Sequence, residues 1–443
     1  MFKISYKIFA IILCMMLFMS SCSSSEGIYV ANATSTNTEI GNILPTSTST
    51  PIPVTVTPSP IPLPPVKAQC VADSKSFQNL KLNGVIALNK VSHQLNSPPG
   101  FYLLDASTKR VVRTDDSALS ALISPDRIHI AYTYEKADAE YIRIVDSNLT
   151  VVADFANFPA YADGLWENYF NWQNNDQIRI VTEDTDKIDQ YLINPFSQAR
   201  TEIKTDWGGI FHPADPYNDK VANWKFDQRA TSIGFVYDAN ILYDPALTRV
   251  VFPKDGGEVS LVDVKSGREL AHANFTDWGR LPIWSPDGSF LTLINRGGNV
   301  DEFYLVSRDG SEFQKITDFA REFNYVSIPE YAWSPDGKQI AFWLSQTDLE
   351  KKDGVQSELA ILDISSRQVT RLCIQGISTN AYDPWFGSAE LIWSPDGKYI
   401  LISQWDNPIS PKNYGVLAID PGLGGVDKIS TNTAPIGWLI KQP

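Results

Sequence analysis

Histidine, cysteine and methionine are scarce in this 443-residue chain, with four of each. The histidines, His93, His129, His212 and His272, are scattered. None has the H-x-x-x-H or H-E-x-x-H spacing that places two imidazoles on one metal ion. No metal and no cofactor is therefore expected. No Gly-x-Ser-x-Gly segment occurs, so the strained strand-to-helix turn that exposes a nucleophilic serine is not encoded. Positive charge is also short: 37 Lys and Arg against 51 Asp and Glu give a net charge of −14. A chain without a basic stripe lacks the electrostatic footprint of a nucleic-acid partner, and none is expected. Apolar runs are short as well. The one at Ile8–Met19 is too brief to span a bilayer.

That short run has the anatomy of an export signal. Lys3 and Lys7 precede it, and Met19-Ser20-Ser21-Cys22 follows. The last four residues resemble the bacterial lipobox, with Met where Leu is commoner. The resemblance implies cleavage before Cys22 and lipidation of that residue, hence a lipid-anchored protein of the cell envelope, facing out of the cytoplasm. Stable anchoring needs two or more acyl chains, and bacterial lipoproteins carry them on this one cysteine. Residues 1–21 are then a signal peptide. Residues 22–68 form a linker rich in Ser, Thr and Pro, with seven prolines between Pro51 and Pro65. Such a segment buries too little to offset its ordering entropy. Its Pro-rich half reaches roughly 60 Å at about 3.1 Å per residue. It reads as a stalk.

Residues 69–443 read as an all-β domain. A five-residue phrase returns in it: Trp284-Ser285-Pro286-Asp287-Gly288, Trp333-Ser334-Pro335-Asp336-Gly337 and Trp393-Ser394-Pro395-Asp396-Gly397. Pro presets φ for a turn, Asp tolerates the next position, Gly supplies positive φ, and the Ser hydroxyl can bond the turn backbone. The Trp before each turn closes an inner strand. A buried Trp hides about 150–250 Å², which at roughly 25 cal/mol per Å² is an upper bound of about 4–6 kcal/mol. Repetition every 50 to 60 residues or so is a blade-like period. Weaker openings stand at Ile123-Ser124-Pro125-Asp126, with Arg127 where Gly is expected, at Trp172, and at Tyr243-Asp244-Pro245. The first strands, from Gly84, lack an inner partner, whereas Pro435–Ile440 with its Trp438 is an inner strand without a following blade. Pairing the two closes a ring and removes its open edges. The expected fold is a seven-bladed β-propeller; the degenerate openings leave six or eight as alternatives.

The Trp-Ser-Pro-Asp-Gly repeat resembles the PD40, or TolB-like, family of WD40-like propellers over roughly residues 75–440. The resemblance implies the fold. In prolyl-oligopeptidase-like enzymes such propellers precede α/β-hydrolase domains; here the chain finishes on a blade strand.

In a four-stranded blade the first-to-second and third-to-fourth turns share one face, and the remaining connections share the other. The first set is tight throughout. The second holds insertions at 156–169, 206–238, 318–330, 345–357, 374–390 and 405–414. These carry Trp166, Trp207, His212, Trp224, Arg229, Tyr325, Trp385 and Trp405. Long loops gathered on a rigid scaffold are where binding usually sits, and aromatics give large contact area at low entropy cost. These eight residues are the candidate ligand contacts. The expected function is a membrane-anchored binding module for a protein, peptide or glycan. A hydrolase or lyase acting on a polysaccharide is the alternative, to be recognised by two carboxylates about 5–9 Å apart in a pocket. No catalytic residue is assigned. Cys70 and Cys373, in an exported chain, are expected to form a disulfide.

Overall fold

The structure is a computed structural model. It describes residues 63–441 apart from 72–78, 91–99, 159–169, 204–243, 254–257, 347–355, 375–381, 406–413 and several gaps of one to three residues. The regular structure of the described residues is strand, with one short 3₁₀ turn at Phe319–Arg321.

Seven sheets of three to five strands follow one another along the chain, antiparallel throughout except for one parallel edge strand in the sixth. The first holds Thr433–Leu439, Val85–Lys90, Phe101–Asp105 and Arg110–Asp115. The second runs Ala118–Ile123, His129–Lys136, Ala139–Asp146 and Val151–Phe158. The third runs Phe170–Asn174, Gln177–Asp184, Lys187–Ile193 and Arg200–Ile203. The fourth shows three strands, Arg249–Pro253, Glu258–Asp263 and Glu269–Asn274. The fifth has Trp278–Trp284, Phe290–Arg296, Asp301–Ser307 and Phe313–Lys315. The sixth has Tyr331–Trp333, Gln339–Gln346, Gln356–Asp363 and Val369–Ile374, plus a fifth strand, Lys67–Val71, on its outer edge. The seventh has Leu391–Trp393, Ile400–Trp405, Tyr414–Ile419 and Val426–Thr431. A two-stranded hairpin, Tyr382–Asp383 with Gly387–Ser388, precedes it.

Six pairs of neighbouring sheets pack face to face. Separate apolar clusters join sheets one and two, two and three, four and five, five and six, and six and seven. A further cluster joins the seventh sheet to the first through Leu401, Val416 and Ala418 against Ile86, Leu88, Leu104 and Trp438. The first strands of sheets six, seven, one, two and three touch in series. Sequential sheets meeting at their inner strands, with the last meeting the first, make a β-propeller. Closure is made by the strand containing Trp438, which pairs antiparallel with Val85–Lys90. Gly84 permits this, since a side chain there would meet the Leu439 carbonyl at 2.7 Å and its φ is +92°.

The repeated tryptophans build the seams, and do so with a polar bond besides area. Trp172 Nε1 donates to the Leu122 carbonyl, Trp333 Nε1 to Ile283 and Trp393 Nε1 to Ala332, at 3.3, 3.4 and 3.1 Å. Each acceptor is the residue just before the corresponding opening of the preceding sheet. A buried indole thus satisfies its N–H while locking one sheet's height to its neighbour's.

Candidate functional site

The two faces differ in chemistry, and the reason begins in the turns. In Ser285, Ser334 and Ser394 the hydroxyl donates to the Asp two residues on, at 2.6, 2.7 and 2.6 Å. The same Oγ accepts the amide of Phe290, Gln339 or Tyr399. Gly288, Gly337 and Gly397 sit at φ +67° to +70° and close each turn onto the Ser carbonyl. Burial pushes the Asp287 and Asp396 carboxyls up, but hydroxyl and amide donors overcome it and hold both below the ordinary range. Asp336, bonded by Ser334, is held down too. Asp309, in a third-to-fourth strand turn, is lowered to about 2 by the Ser311 hydroxyl, the Ser311 amide and the Ser307 hydroxyl. Each of these acids is held in its turn by hydroxyl and amide donors.

Arg127 occupies the Gly position of a weaker opening and adopts φ +61°. The turn is otherwise kept: Ser124 Oγ accepts the His129 amide, and Arg127 N–H donates to the Ser124 carbonyl. The half-buried guanidinium donates to the Trp393 carbonyl of the seventh sheet at 2.9 Å, and the Arg127 carbonyl accepts from Ile440 of the closing strand. One residue on the tight-turn face therefore ties the second sheet to the first and the seventh.

On the opposite face lies the connection from sheet five to sheet six, and two buried carboxylates build it. Glu302 accepts from Thr317 Oγ1, from the Phe319 and Ala320 amides, and from Lys315 Nζ, at 2.6 to 3.1 Å. Asp301 Oδ2 accepts the Ile328 amide at 2.8 Å. Val326 bridges to Val300 and Ser327 to Ser345, so the inner strand of sheet six is extended toward this face. The adjacent acids serve as loop anchors. Among the described residues no group of three or more His, Cys, Asp and Glu comes close enough to hold a metal ion.

Of the candidate ligand residues, Tyr325 lies half-buried on this anchored connection. Trp405 ends the second strand of sheet seven, its backbone opposite Tyr414 across the 406–413 insertion. Trp166, Trp207, His212, Trp224, Arg229 and Trp385 lie outside the described residues, as does Cys22. Cys70 and Cys373 are brought together: they are direct register partners in the parallel pairing of Lys67–Val71 with Val369–Ile374. That parallel strand has no precursor in the sequence reading, because a single added edge strand carries no turn signal linking it to its partner. It begins two residues inside the segment expected to be linker.

No family model matches the chain. A curated relative, described as uncharacterized peptidase YuxL of Bacillus subtilis (strain 168), is 26% identical over 152 residues, 28% of this chain. The match spans only about a fifth, 21%, of that relative's length. Among solved structures, uncharacterized protein lmo1340 from Listeria monocytogenes EGD-e is 16% identical with a TM-score of 0.46, covering 85% of this chain and 98% of that one. TolB from Acinetobacter baumannii is 13% identical with a TM-score of 0.40, covering 86% and 89%. The propeller assignment rests on the sheet order and the seams, not on these likenesses.

Proposed function

We propose that this chain is a lipid-anchored, extracytoplasmic binding module. Its seven sheets are the blades of one ring, held on a stalk, and its insertion-bearing face captures a protein, peptide or glycan. The observation that carries this reading is the direction of the strand Lys67–Val71. It runs parallel to Val369–Ile374, which leaves the 364–368 turn of the tight-turn face. The chain therefore enters at that end, where Gln368 Nε2 donates to the Pro65 carbonyl at 2.7 Å. The described connection from sheet five to sheet six stands at the far end from the entry. Entry on the tight-turn side leaves the side expected to carry the aromatic-rich insertions free for a ligand. Asp287, Asp309, Asp336 and Asp396 serve turns, and Asp301 and Glu302 anchor the connection from sheet five to sheet six.

The test uses residues 23–443, the chain without its signal peptide and lipidated cysteine, on glycan and peptide arrays. Specific capture that weakens by about 2 kcal/mol or more in Trp207→Ala or Trp224→Ala, at unchanged melting temperature, supports the reading. A large loss of stability with unchanged capture would place the binding surface elsewhere. The name of the peptidase relative motivates the rival reading: turnover of arrayed peptides or polysaccharides by the purified chain would replace binding with catalysis. Cys22→Ser should abolish lipid labelling, and persistence of the label would remove the anchor from the proposal.

A further inference from the structure

The entry strand is an unusual addition to its sheet. Every other neighbour within the seven sheets is antiparallel, whereas Lys67–Val71 pairs parallel with the outermost strand of sheet six. Three hundred and three residues separate the partners Cys70 and Cys373 in sequence. Nothing local brings them together, so their coincidence in register is a tertiary event. The segment is docked by several independent contacts before it reaches Cys70. Val66 N–H donates to Glu322 Oε1 at 2.8 Å. The Pro65 carbonyl accepts from Gln368. Val66 also packs against the apolar cluster between sheets five and six. Beyond the strand, Leu80 N–H donates to Asp427 Oδ2 of sheet seven at 3.0 Å, and Leu82 is buried in the cluster that closes the ring. The entry segment thus crosses the outer edge of sheet six and ends at the closing seam, which leaves Cys70 little freedom along the strand.

We infer that Cys70 and Cys373 form a disulfide that staples the entry segment to the outer edge of sheet six. The backbone supports it. Neighbouring strands lie about 4.8 Å apart, inside the Cα separation of about 4.4–6.8 Å that a disulfide spans. The chemistry is thiol–disulfide exchange. One cysteine, as thiolate, attacks a sulfur of an oxidant disulfide and expels one thiolate. The second cysteine then attacks the mixed disulfide and expels the other. Two protein thiols are oxidised, one oxidant disulfide is reduced to two thiols, and two protons move to the departing sulfurs. The staple covers the exposed edge of Val369–Ile374, which would otherwise be open to pairing with another chain. It also holds the entry at the tight-turn end. It uses the proposed export only as a source of oxidant, and the test supplies that separately.

The experiment is non-reducing peptide mapping of the full processed chain, with free thiols alkylated at lysis. Trypsin places Cys70 in Ala68–Lys75 and Cys373 in Leu372–Lys398. The expected result is one cross-linked species of these two peptides, lost on reduction and absent from Cys70→Ser. A second arm equilibrates reduced, purified chain with glutathione disulfide in excess. If the cross-link forms there but not in cells, the staple stands and the export reading falls. If both peptides are recovered separately and alkylated or glutathionylated in both arms, the inference is overturned. Hydrogen exchange separates docking from cross-linking. Amides of Lys67–Val71 should stay protected in the oxidised chain and lose at least tenfold protection on reduction. Protection unchanged by reduction would show that the strand holds without the bond, and the staple's proposed role would fail.

Discussion

Arg127 gives the sharpest test of how this ring is held, because a simple consensus argument predicts the wrong sign. The clean turns place Gly where Arg127 stands, at φ +61°. A side chain in the left-handed region costs about 1–2 kcal/mol, so Arg127→Gly should stabilise if the turn alone matters. The structure says otherwise. The half-buried guanidinium donates to the Trp393 carbonyl at 2.9 Å, across the first sheet into the seventh. Burial lowers its pKa from the ordinary value, but arginine stays charged. A hydrogen bond with a charged donor contributes about 1.5–3 kcal/mol. Subtracting the relieved strain leaves a net loss centred on about 1 kcal/mol and reaching about 2 kcal/mol. Urea unfolding of the processed chain measures it: the midpoint should fall while the slope stays constant. The converse control is Gly397→Ala, at φ +70° with nothing nearer to the added Cβ than Pro335 Cδ at 3.8 Å. It should cost about 1–2 kcal/mol from backbone strain alone. Arg127→Gly as stable as the parent, or more so, would refute the account.

Deleting residues 434–443 removes the strand that pairs with Val85–Lys90, and calorimetry should show loss of the single cooperative transition; one transition at the parent temperature would show that closure lies elsewhere. Trp393→Phe removes a donor to the Ala332 carbonyl and part of a ring that is 2% exposed, so denaturant unfolding should register a loss of about 1–3 kcal/mol, and less than half a kcal/mol would break the seam argument. The turn carboxylates have folded pKa values below the unfolded value, Asp309 at about 2. Their stabilisation is therefore complete above about pH 4 and is lost as pH falls through the folded values. The urea midpoint should stay level at pH 5–7 and decline from pH 4 to pH 2, and Asp309→Asn should flatten part of that decline; a midpoint that holds constant to pH 2 would contradict the assignment.

Much of the scaffold is legible in the chain because its signals are local. Ser-Pro-Asp-Gly prescribes a turn within four residues, and each clean copy has the hydroxyl–carboxylate bond and the positive φ. Trp before the turn announces an inner strand, and Trp438 without a following turn announces closure. The degenerate openings are legible as strands but not as contacts. That Arg127 reaches Trp393, 266 residues away, depends on how the second sheet sits beside the first, which no local pattern encodes. The acidic pair Asp301 and Glu302 reads in sequence as two more charges at a strand end; only the fold of the 316–330 connection turns them into its anchors. Cys70 and Cys373 are visible as the two cysteines of the folded part, yet their register depends on an edge strand added from outside the repeat. Short-range turn chemistry and strand alternation were thus determined by the sequence itself. Which face the chain enters, which carboxylates are spent, and which distant residues meet were decided by tertiary packing, because those contacts close loops of hundreds of residues and are set by the whole ring at once.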